Sequence, residues 1–550
     1  MRFATLLAAL PFTAAYVPHS PFPAPVAGFN ASRLLYSIDT SALSASDSLA
    51  AATAQGVISQ QRGPLMYRVP GATSDYALWL SETARLFNVN VDASWGSDFW
   101  GLLASLKSPS PIKGYVLANL TDGSVNAALA LCTVLGGVAV TAENEARARQ
   151  SSLPLLADAR GRGLDWVLDN VVPGGNFSAR VTMIQAPSKT GMSDVAIAMR
   201  ALPWFPAANA SEPLAQRVWG ALAPPFFALG WGPDEKTTVA EASRHGGAVI
   251  ASDWASNLDV LSSFDLPAFS PPPPPPPPPP RAPPGAVHTA AFLMSDGDNA
   301  QCVLGGFASS GSLWGSPDRG RVPMGWTLPP SLADLAPAAL RYFFATASGR
   351  DSFVAGVSGA AYFYPDAADA AGQLAPLAEL TREYAAKAGL RVANVMTAAD
   401  GVLPAAIAGA LLSGGEFDAL VHYPYSDYAG DHGAISFVGG KPVIGGRFSL
   451  WGDGTQGADF KNVEQAALAL ALAKRDPTTQ DGYSLCVVAP PLPSHRPYAP
   501  LAPAHHPLPL PPSFLRCTRA RQHPTPRVEP QCVRRAARHA AVRGPRAGRR

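Results

Sequence analysis

Residues 287–299 read Val-His-Thr-Ala-Ala-Phe-Leu-Met-Ser-Asp-Gly-Asp-Asn. An apolar run long enough for a buried strand stops abruptly at two carboxylates, Asp296 and Asp298, with Asn299 beside them. A strand covered on both faces reads as a continuous hydrophobic run, the mark of a parallel sheet. Such sheets and barrels carry their chemistry on the loops past the carboxyl ends of their strands. An Asp-Gly turn that merely ends a strand would use the same residues. The stretch therefore argues for an α/β fold before it argues for a function.

Working outward, strand-like runs recur downstream at Phe353–Val357, Leu390–Met396, Ala419–Tyr423, Pro442–Phe448 and Tyr483–Val488, with the first at Val287–Met294. Helical patterns lie between several of them, at Ser331–Thr346, Ala367–Ala388 and Lys461–Lys474. Each strand is followed by polar or aromatic residues: Asp400 after the third, Tyr425, Asp427, Tyr428, Asp431 and His432 after the fourth, Trp451 and Asp453 after the fifth. Repeated βα units with such loops predict a (β/α) barrel-like domain over residues 286–490. Upstream, residues 27–265 alternate short strands (Leu34–Ile38, Pro64–Tyr67, Gly114–Ala118, Ala248–Ala251) with helices such as Ser74–Leu86. They predict one or more smaller α/β domains. Between the two regions, residues 266–285 carry ten consecutive prolines, Pro271–Pro280. Such a run is polyproline II, about 31 Å long at roughly 3.1 Å per residue, and reads as a stiff linker.

The chain has 550 residues, 47% hydrophobic and 15% charged, enough to bury several cores. Its net charge of +2 conceals a strong asymmetry. Residues 516–550 hold eleven Arg and one acid, a charge of +10, which leaves residues 1–515 at −8, the difference between the two. An acidic body gives no footing for nucleic acid. Residues 491–550 are rich in Pro, His and Arg without apolar periodicity and read as a disordered tail. Met1–Ala15 has Arg2, the apolar stretch Phe3–Leu10 and small residues at Thr13–Ala15, a secretory leader pattern too short to span a bilayer. Four Asn-x-Ser/Thr triplets, at Asn30, Asn119, Asn176 and Asn209, agree with export. No later stretch is apolar for long enough to predict a membrane span. Five scattered cysteines carry no metal-ligand spacing, so neither a disulfide scaffold nor a zinc site is expected.

Ser295–Asn299, followed by Ser358-Gly359-Ala360-Ala361-Tyr362-Phe363-Tyr364-Pro365, resembles the GxGYxYP putative glycoside hydrolase family. Ala361 stands where the second glycine of the motif belongs. Gly325–Pro330 and Leu335-Ala336-Pro337 are similar to the same family, as are Gly230–Glu235, Ser243–Gly246 and Ala251–Leu258 in the N-terminal half. The resemblance spans roughly residues 30–490 and implies a carbohydrate substrate. The proline run has no expected counterpart, and the chain departs from the pattern after Val488, which leaves the closure of the barrel open.

Glycoside hydrolysis usually places two carboxyl groups on either side of the scissile bond, about 5–5.5 Å apart for retention and roughly 6.5–9.5 Å for inversion. Asp296 and Asp298 are the catalytic candidates. Two residues apart in extended backbone, they share a face, with Cα atoms roughly 6.5–7 Å apart. Mutual repulsion would raise one pKa, as a general acid requires. Two acids from one strand end flank one side of a sugar, so a partner carboxylate is expected from Asp400, Asp427, Asp431 or Asp453. Asp234, Glu235 and Asp253 read as a separate polar cluster at the domain interface. Asn299, Trp326, Tyr362, Tyr364, His432 and Trp451 are the substrate-binding candidates, the aromatics as stacking platforms and His432 as a polar loop residue. Trp314 is a further aromatic of this kind, whereas His422, on a strand, reads as a core histidine. No cofactor and no metal ligand set are expected. Two other readings share these residues. The Asp-x-Asp pair suits a divalent cation in a sugar transferase or deacetylase, although Ala300 breaks the calcium-loop pattern. A carbohydrate-binding protein without turnover is the other.

Overall fold

The computed structural model describes residues 34–71, 74–106, 111–264, 287–450, 460–476 and 478–488. The expected leader, Asn30, the proline run, Trp451, Asp453 and the Arg-rich tail lie outside the described residues. Among those described, no helix is long and apolar enough to cross a membrane, and Cys132, Cys302 and Cys486 are free thiols.

Three small parallel sheets precede a closed barrel. The first contains β1 (Leu34–Asp39), β2 (Met66–Val69) and β3 (Asn90–Asp92) in the order β2-β1-β3. The second contains β4 (Gly114–Leu117), β5 (Gly137–Val140) and β6 (Leu155–Asp158), ordered β5-β4-β6. The third has β7 (Val181–Ile184), β8 (Leu202–Trp204), β9 (Phe226–Gly230) and β10 (Gly247–Ile250), ordered β10-β9-β7-β8. All pairings within these sheets are parallel. Their strands are short and mostly buried, as the unbroken apolar runs require. Helix Ala45–Arg62 ties the layers together. Ser44 caps it by accepting the Asp47 N–H, and Gly63 ends it at φ 83°. Its alanine-rich middle is buried, which small side chains permit, and it packs against β5 and helix Ser193–Ala198.

The barrel comprises β11 (Thr289–Met294), β12 (Met324–Leu328), β13 (Asp351–Ala355), β14 (Val392–Thr397), β15 (Ala419–Pro424), β16 (Ile435–Val438), β17 (Lys441–Leu450), β18 (Phe460–Lys461) and β19 (Tyr483–Val488). Seven of these run parallel around the wall in the order β11-β12-β13-β14-β15-β17-β19, and β19 pairs with β11 from Thr289↔Tyr483 to Met294↔Val488. The barrel therefore closes before the chain departs from the family pattern. Strand β17 achieves this by pairing with β15 along its first half and with β19 along its second, shifting register between Gly446 and Phe448. Strand β16 adds to it antiparallel, outside the closed wall.

Two expectations are corrected here. Strand β12 lies where the sequence offers no strand-like run, so the first two predicted runs, β11 and β13, are separated in the wall by one strand. Within β11 only Leu293 and Met294 are buried, while Thr289–Ala291 are exposed. Its amino half borders a cavity of about 460 Å³ at the amino rim, lined by residues including His288, Arg447, Lys474 and Ser484.

The first region is fastened to the barrel through helix Asp75–Phe87. The Trp79 indole, fully buried, donates to the Leu304 carbonyl at 2.8 Å and meets Tyr342 edge-on at 5.4 Å. Asp75 accepts the Ala308 N–H at 2.9 Å, and burial raises its pKa.

Candidate active site

The loop after β11 is shaped by Gly297. Its N–H donates to Thr327 Oγ1 at 3.1 Å, and Thr327 in turn donates to the Met294 carbonyl. A Cβ on Gly297 would lie 1.9 Å from the Thr327 carbonyl oxygen, so only glycine fits so close to β12. Asp296 adopts φ 61°, a left-handed conformation that costs a side-chain-bearing residue about 1–3 kcal/mol. This turn takes the pair out of the extended geometry in which the two aspartates would share a face. Ser295 anchors the loop to the last strand, its N–H donating to the Val488 carbonyl at 2.8 Å. Asn299 opens the short helix Ala300–Cys302 through its carbonyl, not its side chain.

Asp296 and Asp298 are half-buried residues whose carboxyl groups lie deep. Burial pushes Asp296 up to about 6, and its Oδ2 has no hydrogen-bond partner. Burial, then the charges of Asp296 and Glu235, push Asp298 up to about 8. Glu235 is the carboxylate whose field reaches this pair. It is the first residue of helix Glu235–Arg244, just past β9, where the helix dipole favours its charge. Burial outweighs that preference, and with Asp296 and Asp234 nearby it pushes Glu235 up to about 7.

Aromatic side chains enclose the three acids. The Tyr362 hydroxyl donates to Glu235 Oε1 at 3.0 Å, which leaves its oxygen to accept from Tyr364 at 3.2 Å. Trp231 stacks on Tyr362 at 6.0 Å, and Tyr364 meets Tyr425 edge-on at 5.9 Å. Tyr423 and Tyr428, with ring centroids 4.5 Å apart, both feel the charges of Asp296 and Asp298. Tyr423 donates to Asn394 at 2.6 Å.

The segment carrying Tyr362 joins the two halves of this site. Val249, on β10, and Tyr362 exchange both backbone hydrogen bonds as an antiparallel bridge, at 2.7 and 2.9 Å. The Tyr364 N–H donates to Ser243 Oγ at 2.9 Å. The barrel loop thus extends the third sheet by one residue pair, and the carboxyl end of β9 is brought against the barrel's carboxyl end.

The remaining candidates are placed elsewhere or otherwise engaged. Trp326 lies within β12 and is 4% exposed; its indole donates to Asp351 at 2.9 Å while Trp314 and Phe307 pack its faces and edges. It is a wall residue, so no sugar-stacking role is carried forward for it. His432 is exposed at φ 50° and lines the amino-rim cavity with His288, away from the carboxyl-end loops. Among the suggested partner acids, Asp400 accepts from Ser426, Asp427 accepts the Ala429 N–H, and Asp431 pairs with buried His422. The sequence reading assigned Glu235 to a separate cluster, and the structure brings it to Asp296. The signal was available: Glu235 follows β9 as Asp296 follows β11, polar residues past a parallel strand. Among the described residues no three His, Cys, Asp or Glu side chains converge as a metal site.

The build is one of small α/β layers ahead of a closed parallel barrel, with acids past the carboxyl ends of its strands. Residues 34–108, 112–174 and 179–263 match in turn the first, second and third N-terminal domains of the GxGYxYP family. Residues 286–490 match its "GxGYxYP putative glycoside hydrolase C-terminal domain". The chain belongs to the GxGYxYP family. A crystal structure of a putative hydrolase from Bacteroides thetaiotaomicron shares the fold, with a TM-score of 0.73 at 24% identity, over 86% of this chain and 92% of that one. No curated protein matches.

Proposed function

We propose that the protein hydrolyses glycosidic bonds, with Asp296 as the ionised carboxylate and Glu235 as the proton donor. The observation that carries this is geometric: the Val249–Tyr362 bridge and the Tyr362–Glu235 hydrogen bond bring together buried carboxyls from two domains, Asp296 and Asp298 past β11 and Glu235 past β9, with burial raising the pKa of each. Separated affinities among neighbouring acids are how one site holds both a base and an acid at the same pH. Near neutrality Asp296, the lowest, carries the charge needed by a nucleophile or a water-activating base. Glu235 comes from the opposite domain, so a sugar bound between the two is bracketed as Asp296 and Asp298 alone could not bracket it. Its proton affinity near 7 suits an acid working at neutral pH. Asp298, the highest, stays protonated and supports Asp296 as a neutral neighbour. Tyr362, itself buried like Tyr364 and Tyr423, orients Glu235, and the half-buried rings of Trp231, Tyr425 and Tyr428 are the ones that offer sugars apolar faces with polar tips.

The leader pattern and the triplets at Asn119, Asn176 and Asn209, on loops, with Asn176 exposed, support passage through the secretory route. Amino-terminal sequencing and a glycosidase mobility shift on the native protein test this, and an uncleaved, unglycosylated chain sinks it. Hydrolysis is tested by incubating the full chain with a broad oligosaccharide panel and resolving products chromatographically. Release of shorter sugars supports the reading. Binding without release favours a carbohydrate-binding protein instead.

A further inference from the structure

The motif Ala251-Ser252-Asp253-Trp254-Ala255-Ser256-Asn257 takes no part in the trio, yet it is built with unusual firmness around an exposed aromatic. It follows β10, at the carboxyl edge of the third sheet. Four attachments pin it. The Ala251 carbonyl accepts the Gln301 N–H at 3.0 Å, and the Trp254 N–H donates to Gln301 Oε1 at 3.2 Å. The Ser256 N–H donates to Tyr76 at 2.9 Å. The buried Asn257 amide bonds both backbone groups of Arg68, each at 2.8 Å. On this held loop Trp254 is 44% exposed. A large apolar ring left in water on a fixed backbone gains nothing for the fold. It is what a recognition surface needs, because its ordering entropy is already spent.

The surroundings of Trp254 are equally specific. Lys189, from the loop after β7, places its ammonium 4.2 Å from the centre of the Trp254 ring and pairs with Asp253. Asp253 is buried, and its other oxygen, Oδ1, has no partner. The pair is neutral overall, while two of the three ammonium protons remain for other acceptors. This group lies beside the carboxylate trio. Gln301, which holds the Trp254 backbone, is three residues past Asp298. The Cys302 thiol next to it feels the charges of Asp296, Asp298 and Asp253. Lys189, Glu235 and Trp254 thus follow three strands of one parallel sheet, β7, β9 and β10, outside whose carboxyl ends open α/β sheets bind ligands.

We propose that Trp254 and Lys189 form a subsite for a neutral hexopyranose unit of the glycan, adjoining the carboxylate trio. One ring face of Trp254 is held by the Lys189 ammonium and the other is left to stack on the sugar, so Lys189 acts by fixing the ring. A uronate is disfavoured because Asp253 already matches the Lys189 charge. This deepens the hydrolase reading, resting on it for the class of ligand, but it concerns binding and is read without turnover.

The probes are neutral hexopyranose oligosaccharides of two to six units and their uronate counterparts, titrated calorimetrically into the full chain and its Trp254→Ala and Trp254→Phe forms. Truncating a central Trp anchor weakens association by roughly 10- to 30-fold. That loss is expected for the neutral sugars in Trp254→Ala, with most affinity retained in Trp254→Phe and unfolding midpoints unchanged. Absence of binding by every probe, unchanged affinity in Trp254→Ala, or preference for the uronates overturns the proposal. Product analysis run in parallel separates the two claims: Trp254-dependent binding with no product removes the hydrolase and leaves the subsite.

Discussion

Glu235→Gln removes a proton and little else. The amide keeps the side chain's size and an oxygen for the Tyr362 hydroxyl, which now donates to Glu235 at 3.0 Å. If Glu235 protonates the leaving group, the loss is the contribution of a general acid, about 10²–10⁴-fold, or about 2.7–5.4 kcal/mol of barrier at 1.36 kcal/mol per tenfold. The loss should follow the leaving group. A sugar alkoxide cannot depart without a proton, so an oligosaccharide bears the full loss, whereas a nitrophenolate departs unaided and its glycoside should lose less than about tenfold. The pH profile carries a second signature. Burial pushes Glu235 up to about 7, so wild-type kcat/KM for the oligosaccharide should fall above that pH and the fall should vanish in the variant. The assay is kcat/KM between pH 5 and 9 for an oligosaccharide identified by the panel and for the matching nitrophenyl glycoside. Equal losses on both substrates, or an alkaline limb unchanged in Glu235→Gln, would refute the assignment.

Asp298→Asn should stabilise the protein at alkaline pH. A carboxyl whose folded-state pKa is raised to about 8 contributes stability that is present below its unfolded value and lost as pH rises through 8. An amide imitates the protonated acid and escapes that loss, so chemical denaturation should show the variant gaining about 3–4 kcal/mol on wild type between pH 5 and pH 8; a pH-independent difference contradicts the buried, uncharged Asp298. Tyr362→Phe deletes the hydrogen bond that lowers the Glu235 pKa, which burial otherwise raises. The alkaline limb of the rate should move up by about one pH unit, and an unmoved limb would separate Tyr362 from Glu235.

Much of the barrel was legible because its strands announce themselves. Strand β19 spans the residues its apolar run suggested, and β14 and β15 fall within two residues of theirs. Strand β12 was hidden by punctuation: Pro323, Gly325 and Pro329 crowd five residues, and its strand character comes from pairing along its whole length with β13. The same omission left Trp326 among the stacking candidates. Glu235 was underrated because no periodicity reports how two domains dock; the Val249–Tyr362 bridge decides that. His432 lies apart from the acids for a geometric reason. The connection from β15 must return to the amino end of β17 before the next parallel strand begins. Its early residues, Tyr425 and Tyr428, stay with the acids, while His432 lies on the way down.

The central claim is that an ionised Asp296 does chemistry at the barrel mouth. It is tested most directly by the rate of sugar release from one oligosaccharide by wild type and by Asp296→Asn, at pH 7 and at matched unfolding midpoints. The account predicts a loss of at least about 10²-fold, since an amide can serve neither as nucleophile nor as base. A rate within threefold of wild type in a fully folded Asp296→Asn variant would contradict it and return the Asp-Gly-Asp stretch to the status of a turn.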